Sequence, residues 1–116
     1  MIILLTLRSL DARRIEIIRK MSEIKSMRKG TVNEQYKSIR HKNGETVAKG
    51  PYYVLTHKAS GGKTVSEAVP SSNILYMRQE VDNYKEFREL TNNYIDVCEK
   101  MSTLYHAAEK EDAKKN

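Results

Sequence analysis

A chain of 116 residues and 13.4 kDa has room for a single domain, residues 1–116, and not for a two-domain enzyme. With 39% hydrophobic and 31% charged residues, 5 Gly, 2 Pro and a mean hydropathy of -0.68, it is too apolar for a disordered linker and too polar for a membrane protein. The formal charge of +6 is unevenly spread: residues 1–63 hold 14 Lys+Arg against 5 Asp+Glu, net +9, and residues 64–116 hold 7 against 10, net -3.

The apolar run Met1-Ile2-Ile3-Leu4-Leu5-Thr6-Leu7 stops at Arg8, too short to span a bilayer or to act as a signal peptide. It is expected to be a buried lead-in to the first helix or an edge strand. From Leu10 to Met27 the residues Leu10, Ile15, Ile18, Met21, Ile24 and Met27 recur at one step of five and then steps of three, with basic residues between, an amphipathic helix. Ser9 or Asp11 can cap its start, and Gly30 after Arg28-Lys29 suits its end, so a basic helix is expected over 1–29.

A small antiparallel sheet is expected over 30–70. Thr31 to Tyr36 alternates weakly and predicts a strand with Val32 and Tyr36 on its inner face. Lys37 to Gly50 is polar and basic around the turn pair Asn43-Gly44, which predicts a hairpin tip or loop. Tyr52–Lys58 and Lys63–Val69 flank Ala59-Ser60-Gly61-Gly62 as a second hairpin. Which face of Tyr52–Lys58 is buried stays open, since Tyr52 and Val54 lie on one side and Tyr53 and Leu55 on the other.

Pro70 ends the sheet, and from Asn73 to about Glu109 there is neither Gly nor Pro. Ile74, Met77, Val81 and Tyr84 fall at steps of three and four, and Phe87, Leu90, Tyr94, Val97, Met101 and Leu104 then continue at three and four as a heptad seam of coiled-coil type. A long helix is expected over 71–110, with 111–116 a frayed tail. At 1.5 Å per residue it outruns its own globule, so the seam needs another surface. A second copy in a homodimer is expected to supply it; the first helix, through Ile15, Ile18, Met21 and Ile24, is the alternative.

With that order in place, residues from about Arg28 to Lys100 resemble a small bacterial domain-of-unknown-function family often encoded beside transposase genes. The resemblance is carried by Lys29-Gly30-Thr31-Val32 and Tyr36, Gly50-Pro51-Tyr52-Tyr53 with Leu55, Gly62-Lys63-Thr64, Val69-Pro70, and Val81, Tyr84 and Phe87-Arg88-Glu89-Leu90. The family carries a short cysteine cluster before its Gly-Pro-Tyr-Tyr segment; here Ser38 to Lys49 takes that place without a cysteine, so no metal or redox site carries over. The resemblance implies the fold and a mobile-element setting, and no established activity.

No residue pattern points to catalysis or to a cofactor. Gly61-Gly62-Lys63-Thr64 lacks the earlier glycine of a phosphate loop, where His57 stands, and lies between strands, so it is expected to be a turn. His41, His57 and His106 are dispersed and Cys98 is alone, so neither a disulfide nor a metal site within the chain is expected; the single cysteine fits a cytoplasmic protein. The informative constellation is basic. Arg28, Lys29, Lys37, Arg40, Lys42, Lys58 and Lys63, with Arg13, Arg14, Lys20 and Lys25 of the first helix, suit a phosphate backbone. Tyr52 and Tyr53 suit stacking or core, and Asn33, Gln35 and Asn43 suit base edges.

These features predict an α+β protein: an N-terminal helix, a small antiparallel sheet with a β-hairpin, and a long C-terminal helix. Its expected function is non-catalytic nucleic-acid binding as an accessory of a mobile element, with DNA rather than RNA as ligand and a transposase-like enzyme as possible protein partner. The alternative is an adaptor or inhibitor that docks on a partner enzyme through the long helix.

Overall fold

A computed structural model describes residues 2–115. The architecture is α+β: helix α1 (Ile2–Glu23), strands β1 (Thr31–Arg40), β2 (Thr46–Lys58) and β3 (Thr64–Val69), and helix α2 (Ile74–Lys115). The sheet is antiparallel in the order β1-β2-β3. The chain forms two compact units, one of residues 26–84 and one that joins residues up to 25 to those from 85 onward; α2 contributes to both.

The helical unit is a two-helix hairpin. Thr6 and Leu10 share a groove with Lys100, Thr103 and Leu104, while the end of α1 leads to Ser26, whose carbonyl accepts from Asn83 Nδ2 at 3.0 Å; the helices are therefore antiparallel. Its core is Ile17, Leu90, Val97 and Met101, flanked by Leu7, Leu10, Met21, Ile24 and Tyr94. On α1 the covered positions Leu7, Leu10, Arg14, Ile17, Met21 and Ile24 step by three and four alternately, a heptad that matches the one on α2. The expected stripe through Ile15 and Ile18 is displaced by one residue: these two are 55% and 43% exposed, whereas Ile17 is 6% exposed. The five-residue step from Leu10 to Ile15 would have carried that stripe off the face that α2 covers.

The predicted seam on α2 is buried or half-buried throughout, from Phe87 through Leu90, Tyr94, Val97 and Met101 to Leu104. Its partner is α1 of the same chain. The helix pair covers the seam for which a second copy was expected, so the seam gives no support to a homodimer.

The bounds of both helices differ from expectation. The segment expected as a lead-in or edge strand is helical from Ile2, since Leu7 belongs to the heptad; Met1 lies outside the described residues. α1 stops at Glu23 rather than near Lys29. The following backbone finds partners on α2 instead: Arg28 N–H donates to the Glu80 carbonyl at 3.0 Å, and Ser26 accepts from Asn83. Helix α2 runs on to Lys115 through the segment expected to fray, where no Gly or Pro interrupts it; Asn116 lies outside the described residues.

In the sheet unit, Leu55, Val69, Ile74 and Val81 form the core, with Val32, Tyr53 and Met77 packed against it. The open question about β2 is thereby answered: Tyr53 and Leu55 face α2, and Tyr52 and Val54 lie on the other face. Val32 is inward as expected. Tyr36 is not, at 62% exposed, because β1 and β2 continue past the core as a two-stranded arm.

Candidate nucleic-acid interface

The arm is built from the distal halves of β1 and β2. The ladder runs in register from Thr31↔Thr56 to Gln35↔Tyr52, shifts, and resumes from Lys37↔Lys49 to Arg40↔Thr46. The shift is a bulge that opposes Tyr36 to Gly50 and Pro51. Gly50 has φ +147, and a Cβ there would stand 2.8 Å from the Gln35 carbonyl oxygen, so glycine lets the two backbones close up at the base of the arm. At the tip, His41 N–H donates to Glu45 O at 2.8 Å, Gly44 N–H to His41 O at 3.0 Å and Glu45 N–H to the Asn43 side-chain oxygen at 3.1 Å. The Asn43-Gly44 pair thus makes the turn that its residue types suggest, with Gly44 at φ +88.

Apart from the half-buried Ile39, every residue from Tyr36 to Gly50 is exposed. Within it stand Lys37, Arg40, Lys42 and Lys49 against one acid, Glu45. Lys37 and Lys49 are cross-strand partners, directly opposite each other. Like charges so placed destabilise a sheet, and among the described residues neither lysine has an acidic partner. The Lys37 ammonium leans over the Tyr52 ring, 5.0 Å from its centre. Asn33, Gln35 and Tyr52 lie on the exposed outer face of the sheet at the base of the arm.

The other candidate cations gather at the opposite end of the sheet. Lys58 pairs across the strands with Thr64, and Lys63 follows the turn at Ser60–Gly62, which is closed by Ala59 N–H donating to Lys63 O at 2.7 Å. The Gly61-Gly62-Lys63-Thr64 motif is therefore a connection between strands, as expected. Lys29 and Lys58 line a cavity of about 420 Å³ with Gly30, Thr31, Thr56, His57 and Thr64. Arg28 is partly committed, its guanidinium 3.8 Å from the Glu67 carboxylate.

Two of the α1 arginines have partners of their own. Arg14 occupies a seam position, and its bond to Asp11 at 2.8 Å, with the Tyr94 hydroxyl beside it, raises its pKa above the usual value. Arg19 is held between Glu16 and Glu23, which also raises its pKa, and its bond to Glu16 holds that carboxyl below the usual range.

Sequence reasoning left Lys49 out of the candidate site, although it lay in the basic segment; its importance appears only with the register that sets it against Lys37. Thr31, Thr56, His57 and Thr64 were missed because three different strands bring them together. Among the described residues no three His, Cys, Asp or Glu side chains form a group able to hold a metal, and no helix is long and apolar enough to cross a membrane.

Comparison with models of known families, with curated proteins and with solved structures finds no match. The reading of the site rests on its geometry.

Proposed function

We propose that the protein is a non-catalytic nucleic-acid-binding accessory protein whose β-arm holds a phosphate backbone. The observation that carries this reading is the Lys37↔Lys49 pair, two facing lysines on an exposed ribbon that carries four cations and one acid. A polyanion relieves their repulsion and gains from it, since each neutralised phosphate releases condensed counterions. DNA suits the arm better than RNA, because the major groove of B-DNA admits a two-stranded β-ribbon and that of A-form RNA is too deep and narrow. The mobile-element setting, and with it a transposase-like partner, draws support from the sequence resemblance alone, and a cytoplasmic location from the single cysteine. The adaptor reading keeps only the rest of the long helix, because the heptad seam is used within the chain.

Fluorescence anisotropy with a generic duplex over a salt series tests the proposal. Replacing Lys37, Arg40, Lys42 and Lys49 together by Ala should weaken binding and reduce the magnitude of the log–log salt slope by about 3 to 4, at about 0.9 per phosphate contact. Circular dichroism should remain that of the wild type. Absence of duplex binding by the wild type at low salt removes the proposal.

A further inference from the structure

The cavity at the end of the sheet away from the arm has the chemistry of an oxyanion site. Its lining includes two lysines, Lys29 and Lys58, with Thr31, Thr56, His57 and Thr64, and no carboxylate is among these residues. Among the described residues neither lysine is in an ion pair. The Lys29 ammonium stands 5.8 Å from the centre of the Tyr84 ring, a cation–π contact at the outer limit of its range, and a four-carbon stem lets it turn to a better partner at little cost.

The floor of the cavity is set by Gly30. Its φ is +132, and a Cβ there would meet the Thr56 carbonyl oxygen at 2.6 Å and His57 Cβ at 3.2 Å. Glycine therefore brings the backbone against β2 where any other residue would push the strands apart. Compact ammonium groups act as point charges toward phosphate, and threonine hydroxyls donate to its oxygens, so the set matches a tetrahedral oxyanion in both charge and donors.

We propose that this cavity seats a single phosphate group, held by Lys29, Lys58, Thr31 and Thr64. In the first instance this is a phosphate of the nucleic acid gripped by the arm, and to that extent the inference rests on the proposed function. The chain from Lys58 to Thr46 covers at most about 40 Å at about 3.3 Å per residue. The two contacts would then fix both ends of the sheet on the polyanion, the arm in a groove and the cavity on the backbone.

Backbone-amide NMR of the full chain, titrated with inorganic phosphate against sodium chloride at matched ionic strength, tests the cavity directly. Saturable shifts are expected at Gly30, Thr31, Lys58 and Thr64, with Gly44 at the arm tip unmoved, and they should vanish in Lys29→Gln/Lys58→Gln. No saturable shift, or saturation that survives the double variant, overturns the site. In duplex titrations the same variant should lower affinity several-fold and reduce the salt slope by about 1 to 2, an effect additive with that of the arm substitutions. Saturable phosphate shifts with unchanged duplex affinity uphold the oxyanion site and assign it to a small phosphorylated molecule instead. Loss of duplex binding in the arm variant with phosphate shifts intact separates the two contacts, so failure of the cavity and failure of the arm are read independently.

Discussion

Lys49→Glu should strengthen the arm and weaken its binding, two effects of opposite sign from one side chain. In the wild type, Lys49 faces Lys37 across the ladder. At the roughly 5 Å typical of directly opposed side chains, two unit charges in water repel by at most about 0.8 kcal/mol, and at physiological salt, with a screening length of about 8 Å, roughly half of that remains. Reversing one charge turns the repulsion into an attraction of similar size, a swing of about 0.5 to 1 kcal/mol that agrees with the measured range for cross-strand pairs. The arm is an exposed ribbon outside the core, so the gain belongs to local opening and not to global unfolding. Native-state hydrogen exchange is therefore the assay. The ladder amides between Lys37 and Arg40 should exchange about two to five times more slowly in the variant, since RT is about 0.6 kcal/mol. Duplex affinity should fall in the same variant, because a net change of two charges removes about two counterion-releasing contacts and reduces the salt slope by about 1.8. Faster exchange would show that the lysines are not in repulsive register. Unchanged affinity would show that the pair does not meet the nucleic acid.

Gly30→Ala should destabilise the sheet unit by about 1 to 3 kcal/mol, read from a denaturant melt followed by tyrosine fluorescence, because alanine at φ +132 is strained and its Cβ stands 2.6 Å from the Thr56 oxygen. Wild-type stability in this variant would refute the close approach. Ile17→Ala should cost about 2 to 5 kcal/mol and Ile18→Ala no more than about 0.5, since only the first is buried in the helical hairpin; equal costs would return the stripe to the position first expected. The Glu16 carboxyl, bonded to Arg19, has a folded pKa below its ordinary 4.5, so its contribution is present above that value and lost as pH falls through the folded one. Thermal melts from pH 6 to pH 3 should show a small acid-induced loss in the wild type that is reduced in Glu16→Gln, and identical profiles would mean that the ion pair contributes nothing.

Local chemistry alone specified the order of elements in this protein. The seam from Phe87 to Leu104 without Gly or Pro can only be a helix, and Asn43-Gly44 between polar β-rich segments can only be a tight turn, because both preferences act over a few residues. Four features needed the assembled fold. Whether Ile17 or Ile18 is buried depends on the partner heptad on α2, since two adjacent stripes on an apolar helix are equivalent until a neighbour covers one. The end of α1 at Glu23 depends on Asn83 and Glu80 offering partners to the backbone of Ser26 and Arg28. The face of β2 that carries Tyr53 and Leu55 is chosen by the helix packed on it. The juxtaposition of Lys37 with Lys49 follows from a bulge that shifts the register by one residue, and a one-residue shift changes every cross-strand partner beyond it.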